Sequence, residues 1–383
     1  MIFQEWKSLN SPMKVFVNEI KKYDLPEIIK IFRQNFAEID LWTELETKKI
    51  ILLKPNLLGP YHPEEAVTTH PVIIEAVIIL LQEKNKEVWL GDSPGGSVAV
   101  KTTFNKTGMT ALTEKYNIKL INFSEGGIKQ HKIGKTEFIF TAYLEKVDAV
   151  INIAKYKTHS LMYYTGAVKN LYGLVPGLKK SDYHKENADY KSFGKIISGL
   201  HSLVNSKIAL NIVDGISGME GEGPSAGKKR DFGVIFTSQS ASALDFIAAR
   251  MMGFKNSQMH YILDAMKHEN IEPDDIILEP KWRSFQFKKV KYRKISLFIK
   301  LISISPGFLK KLFKKLYVYE PDFNEKCTLC RVCLESCPVQ AIFLDGKMKI
   351  DYNKCIKCMC CHELCPYHAI YIRKSWLAKR LIK

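Results

Sequence analysis

The residues with the most explicit chemistry are cysteines. They run Cys327-x2-Cys330-x2-Cys333-x3-Cys337-Pro338 and then Cys355-x2-Cys358-x2-Cys361-x3-Cys365-Pro366. Three thiolates two residues apart fit a tight loop around one corner of an iron–sulfur cube. A fourth, carried away by the proline turn, reaches the other site. The spacing therefore predicts two [4Fe–4S] clusters, one on Cys327, Cys330, Cys333 and Cys365, the other on Cys355, Cys358, Cys361 and Cys337. Structural zinc sites favour cysteine pairs about a dozen or more residues apart over triplets closed by Cys-Pro. Cys360 is the ninth cysteine and breaks the repeat. Only Cys361 reproduces the spacing of the first half, so Cys360 is read as a non-ligand.

The doubled run matches that of two-cluster bacterial ferredoxins and implies a small α+β ferredoxin-like electron relay at the C-terminus. All nine cysteines lie in the C-terminal fifth of the 383 residues. Cysteine is thus used for metal in a reducing compartment, and a disulfide-stapled secreted domain is excluded from the first 326 residues. The first twenty residues lack a basic start followed by an apolar core, so no secretory signal is expected. No run of about 18 apolar residues is present, so no spanning helix is expected either. With 46% apolar residues, the chain can bury a sizeable core.

The elements ahead of the cysteines alternate. Strands are expected near 14–19, 48–54, 87–91, 118–122, 149–153, 207–213 and 233–236. Helices are expected near 26–37, 71–84, 110–116, 192–204 and 241–252. Such alternation predicts an α/β domain with a mainly parallel sheet and flanking helices. Polar or glycine-rich stretches follow the strands: KPNLLGP, GDSPGG, AKYKTHS and DGISGMEGEGPSAG. In open α/β sheets, ligands collect beyond the carboxyl ends of the strands. Lys54, Lys155, Lys157 and Lys169 in these stretches, with Asp92, Gly95 and Gly96, would suit a bound phosphate or carboxylate. GDSPGG is not a dinucleotide fingerprint, and GMEGEGPSAGKK is not a P-loop. His159, read as part of a loop between basic and hydroxyl groups, is the candidate general acid or base, with Lys157 beside it. Asp214 and Asp245 could orient these bases or cap turns and helices, and His70 could simply precede a helix.

KPN at 54–56, Thr69-His70-Pro71, GDSPGG at 91–96, KYKTHS at 155–160, VKNLYG at 168–173, DGI at 214–216 and GMEGEGP at 218–224 resemble, in order, the motifs of the family called domain of unknown function 362. Members often carry a C-terminal two-cluster ferredoxin module. The resemblance implies an architecture and iron–sulfur content but no substrate.

The resulting organisation is an α/β domain at 1–255, a basic amphipathic connector at 256–318, a two-cluster domain at 319–373 and a basic tail at 374–383. The net charge of +17 is concentrated: residues 281–316 hold twelve Lys/Arg and no acid. With interleaved apolar residues, that stretch suits docking of a redox partner protein or contact with an anionic membrane surface better than nucleic acid, for which it has no motif. The expected location is cytoplasmic, peripheral at the membrane if that contact forms. Two functions follow: a reductase feeding electrons to an anionic small molecule in the α/β pocket, or an electron carrier whose α/β domain is a docking scaffold. Protein reconstituted under anaerobic conditions should be brown and hold about eight iron atoms per chain. Colourless protein with far less iron, by absorbance and metal analysis, would contradict the cluster assignment.

Overall fold

The computed structural model describes residues 13–187, 189–279, 290 and 318–381. The basic stretch 281–316 therefore lies, except for Val290, outside the described residues.

The strands of the main sheet are β1 (Met13–Glu19), β2 (Ile50–Pro55), β3 (Glu87–Asp92) and β4 (Lys119–Asn122), followed by an outlying hairpin, β5 (Ile128–Ile133) and β6 (Thr136–Thr141). The sheet continues with β7 (Ala149–His159), β8 (Tyr163–Thr165), β9 (Ile208–Glu220), β10 (Lys228–Ser238) and β11 (Ile276–Glu279). Their order is β11-β1-β10-β9-β7-β2-β3-β4, with β8 added to the end of β7. The run β9-β7-β2-β3-β4 is parallel, whereas β10 pairs antiparallel with both β9 and β1. The fold is thus α/β with a mainly parallel sheet.

Continuous apolar strands explain this architecture. In β2, Ile51 and Leu53 enter one core and Leu52 the other, and all three are fully buried. A strand covered on both faces needs apolar residues at every position, as parallel strands between helices do. The helices start on local caps. Asp24 accepts from Glu27 N at 3.0 Å and opens Leu25–Glu38. His70 accepts from Val72 N through Nδ1 at 3.3 Å and opens Pro71–Gln82, which gives His70 the capping role.

Two expected loops are strand instead. AKYKTHS continues β7 to His159, and the glycine-rich stretch after Val213 continues β9 to Glu220. The two strands stay paired through bulges, with Lys155 opposite Asp214 and Lys157 opposite Met219. Buried lysines disguised the apolar pattern in β7, and Asp214, Ser217 and the glycines did so in β9.

The C-terminal module pairs β12 (Tyr319–Phe323) with β15 (Ile370–Lys374) and β13 (Ile342–Asp345) with β14 (Lys347–Ile350). Two short helices, Val332–Glu335 and Cys360–Leu364, carry cysteines. None of the nine cysteines is in a disulfide. Among the described residues, no helix is long and apolar enough to cross a membrane.

A buried carboxylate sets the helix that carries the central lysine of the site. Asp245 accepts from Ala167 N (2.7 Å), Val168 N (2.8 Å) and the Tyr164 hydroxyl (3.0 Å), at the start of the helix Ala167–Asn170. Asp245→Ala would strand three buried donors. We expect a loss of roughly 3–5 kcal/mol in urea unfolding, against about 1 kcal/mol if the contact mattered little.

Candidate functional site at the interface of the two domains

Beyond the carboxyl ends of β2 and β3 a cavity of about 90 Å³ opens between the α/β domain and the cysteine-rich module. Its floor is an ion pair. Lys54 Nζ donates to Asp92 Oδ1 at 2.9 Å and to Pro55 O at 3.0 Å, with both side chains essentially inaccessible. Burial depresses the Lys54 pKa and the Asp92 carboxylate opposes that shift. Asp92 also accepts from Leu57 N (2.8 Å) and Ser93 N (2.9 Å), tying together the chain ends leaving β2 and β3. Gly173 lies over the pair, where an added Cβ would collide with Lys54 Nζ and stand 2.7 Å from Asp92 Oδ1.

The walls carry two further lysines. Lys180 Nζ donates to Ser93 O at 2.5 Å and Pro94 O at 3.4 Å, and burial pulls its pKa down to about 7. Lys169 has no hydrogen-bond partner among the described residues. Burial lowers its pKa, and the nearby Glu363 and Cys360 oppose that shift. His184 stacks on Phe193 with ring centres 4.1 Å apart, and burial drops its pKa to about 3, so its imidazole is neutral. Asn170 joins an amide chain, donating to Asn152 Oδ1 at 2.8 Å and accepting from Asn56 at 3.1 Å.

The remaining wall comes from the cysteine module: Cys360, Glu363 and Leu364 of the helix Cys360–Leu364. Glu363 is pushed up to about 7 by burial, offset by Lys169 and Lys157. Ser225 Oγ donates to Glu363 O at 2.9 Å, Tyr61 to Cys365 O at 3.0 Å, and Ser97 N to Ser336 Oγ at 3.0 Å. Gly95 and Gly96 line the cavity and also receive this module. A Cβ on Gly95 would stand 2.6 Å from Leu364 Cδ2, and one on Gly96, whose φ is +61°, would collide with Ser336 Oγ.

Lys54, Asp92, Gly95, Gly96 and Lys169 are therefore brought around one cavity, while Lys155, Lys157 and His159 stand outside its lining. Lys155 Nζ is held by Asp214 Oδ2 (2.8 Å) and the Tyr23 hydroxyl (2.9 Å), and Tyr23 lies flat on His70. Lys157 Nζ donates to Asn56 Oδ1 (2.8 Å) and Val67 O (2.7 Å), and burial holds its pKa well down. His159 Nδ1 accepts from Leu161 N and Met162 N at 3.1 and 3.3 Å. Its neutral ring must then carry the proton on Nε2, which faces Glu363 Oε1 at 3.4 Å. Burial keeps that ring neutral, with a pKa well below the usual range. Lys180, His184, Cys360 and Glu363 carry no sequence signal for the pocket. The first two have no motif spacing, and Cys360 and Glu363 join the lysines only through domain packing.

The cysteines group in space. Cys333 is pushed up to about 12 by burial first and by the nearby Cys365, Cys330 and Cys327 next. Cys361, pushed up by burial, senses Cys358, Cys333, Cys355 and Cys337. Ala341 N donates to Cys337 Sγ at 3.2 Å and Ala369 N to Cys365 Sγ at 3.3 Å, the amide–sulfur contacts that tune iron–sulfur centres. Clustered sulfurs free of disulfides fit an iron–sulfur group.

The family model "Domain of unknown function (DUF362)" matches residues 51–250, and that of a "4Fe-4S dicluster domain" matches 326–375. The thylakoid-associated protein sll1697 of Synechocystis sp. is 33% identical over 198 residues, which cover 51% of this chain and 61% of that relative. The solved structure of the lactate racemase apoprotein from Thermoanaerobacterium thermosaccharolyticum overlaps 65% of this chain and 58% of its own, at 12% identity and a TM-score of 0.39.

The packed glycines make the interface testable. Gly96→Val should expel the cysteine module from the α/β domain and expose the interface to protease, while β-sheet melting changes little. Retention of wild-type protection in limited proteolysis would show that the contact yields cheaply.

Proposed function

Because the chain belongs to the DUF362 family and joins that domain to a 4Fe-4S dicluster domain, we propose that it is a reductase whose iron–sulfur module passes electrons to a small anion held in the interface cavity. The observation that carries this reading is the shared wall: the helix starting at Cys360, next to Cys361, encloses the cavity with Lys54, Asp92 and Lys169. In the proposed assignment, Cys327, Cys330, Cys333 and Cys365 hold one [4Fe–4S] cluster, and Cys337, Cys355, Cys358 and Cys361 a second. Such clusters supply one-electron transfer.

The residues of the chain divide the remaining work. Lys169 and Lys180 bind the anion, and the neutralised Lys54–Asp92 pair shapes its floor. Lys157 acts as a positioning residue, because it fixes Asn56 on the cavity wall. His159 lies behind that wall, and its Nε2 proton faces the cavity only through Glu363. Bringing the anion between two domains also excludes water, which strengthens every charge interaction inside.

The first cysteine loop faces outward: Cys330 and Leu329 are exposed, whereas Cys358 and Cys360 are buried. This polarity supports entry of electrons from a redox partner protein at the outer loop and delivery at the inner one. For residues 281–316 we propose membrane-surface contact, supported by their basic, apolar-studded sequence and by a relative named as thylakoid-associated.

Anaerobic purification followed by mass spectrometry of released small molecules tests the reading. An anion should accompany the wild-type chain and be lost from Lys169→Met with cluster absorbance intact. Ligand-free protein that delivers electrons to a partner, with no anion altering its stability, would instead favour the pure carrier.

A further inference from the structure

We infer that the anion taken by the interface cavity is a compact monocarboxylate, its carboxylate between Lys169 and Lys180 and its carbon end against Leu57, Leu58 and Leu364. This deepens, and rests on, the reading of the cavity as an anion site.

Charge sets the valence. The Lys54 ammonium is answered by Asp92 at 2.9 Å and contributes no surplus. Lys169 and Lys180 make no ion pair among the described residues, and with Glu363 as the other carboxyl of the lining they suit one carboxylate better than two. A dianion would face Glu363 and Asp92 with its second charge unanswered, and unpaired charge out of water is costly.

Donor count agrees. Lys180 gives two of its three N–H groups to Ser93 O and Pro94 O, leaving one. Lys169 spends none on the described residues. Two ammoniums on one cavity lining suit the two oxygens of a carboxylate. Two buried atoms of the lining residues, His184 Nδ1 and Glu363 Oε1, have no hydrogen-bond partner, and the imidazole is the one that can receive an anion. A buried polar atom left bare costs free energy, so an occupant that supplies a partner is favoured.

Size and polarity set the rest. About 90 Å³ suits a compact occupant. The apolar part of the lining, Leu57, Leu58 and Leu364 beside Tyr172, would be left uncovered by a bare inorganic anion.

Anaerobic calorimetric titration of the full cluster-loaded chain with propionate and, separately, inorganic phosphate provides the test. Propionate should bind at one site per chain and phosphate should not. Lys169→Met and Lys180→Met should each weaken propionate at least tenfold, and Lys169→Arg should recover most of that loss. Lys179→Met, at an exposed neighbour, should change nothing. Phosphate binding that Lys169→Met abolishes, without propionate binding, would overturn the monocarboxylate and leave the anion site standing. Binding of neither would overturn both. Propionate binding insensitive to Lys169→Met and Lys180→Met, with the variants' thermal melts unchanged, would overturn the location.

Discussion

An ion pair cut off from water, Lys54 with Asp92, underlies the site. Removing two charges from water costs several kcal/mol per ion. The structure offsets this with further polar contacts: the ammonium also reaches Pro55 O, and the carboxylate gathers Leu57 N and Ser93 N. The pair thereby fixes where the chain leaves β2 and β3, and so where Gly95 and Gly96 can meet the cysteine module. Gly173 completes the arrangement by supplying no side chain where the pair needs room. Removing either partner would leave a lone buried charge, worth roughly 3–5 kcal/mol of destabilisation.

Around that floor the α/β domain gathers more lysine than acid. Lys155 is balanced within the domain by Asp214, but among the described residues Lys157, Lys169 and Lys180 have no carboxylate of their own domain within ion-pair range. The acid facing Lys169 and Lys157 is Glu363, from the other domain. Electrostatic complementarity thus adds to the packing of Leu364 and the hydrogen bonds of Ser97, Ser225 and Tyr61 in seating the module.

Much of this was legible in the sequence because it is local. Cysteine spacing depends on one loop at a time, and β2 announced itself through an unbroken apolar run ended by Pro55. Lys54 and Asp92 could be suspected because they sit at strand ends. The remainder depends on tertiary contact. His159 read as a loop residue because Lys155 and Lys157 interrupt the apolar pattern of β7, yet burial beside Asp214, Asn56 and Val67 keeps that segment a strand. The antiparallel insertion of β10 between β9 and β1 has no sequence cue, since pairing direction is set by where the chain returns. Gly95 and Gly96 read as ligand-binding glycines, and the chain also uses them to admit Leu364 and Ser336. Glu363 lies in CCHELCP, where the cysteines dominate any reading of the segment.

The chamber has one wall that the α/β domain does not own. Small metal-binding modules take much of their folding free energy from the bound metal, and here such a module contributes Cys360, Glu363 and Leu364 to the enclosure. Iron supply would then govern more than electron flow. A cell starved of iron would hold the same polypeptide with its floor built and its roof absent, and the chamber would become a compartment only as the metal arrived.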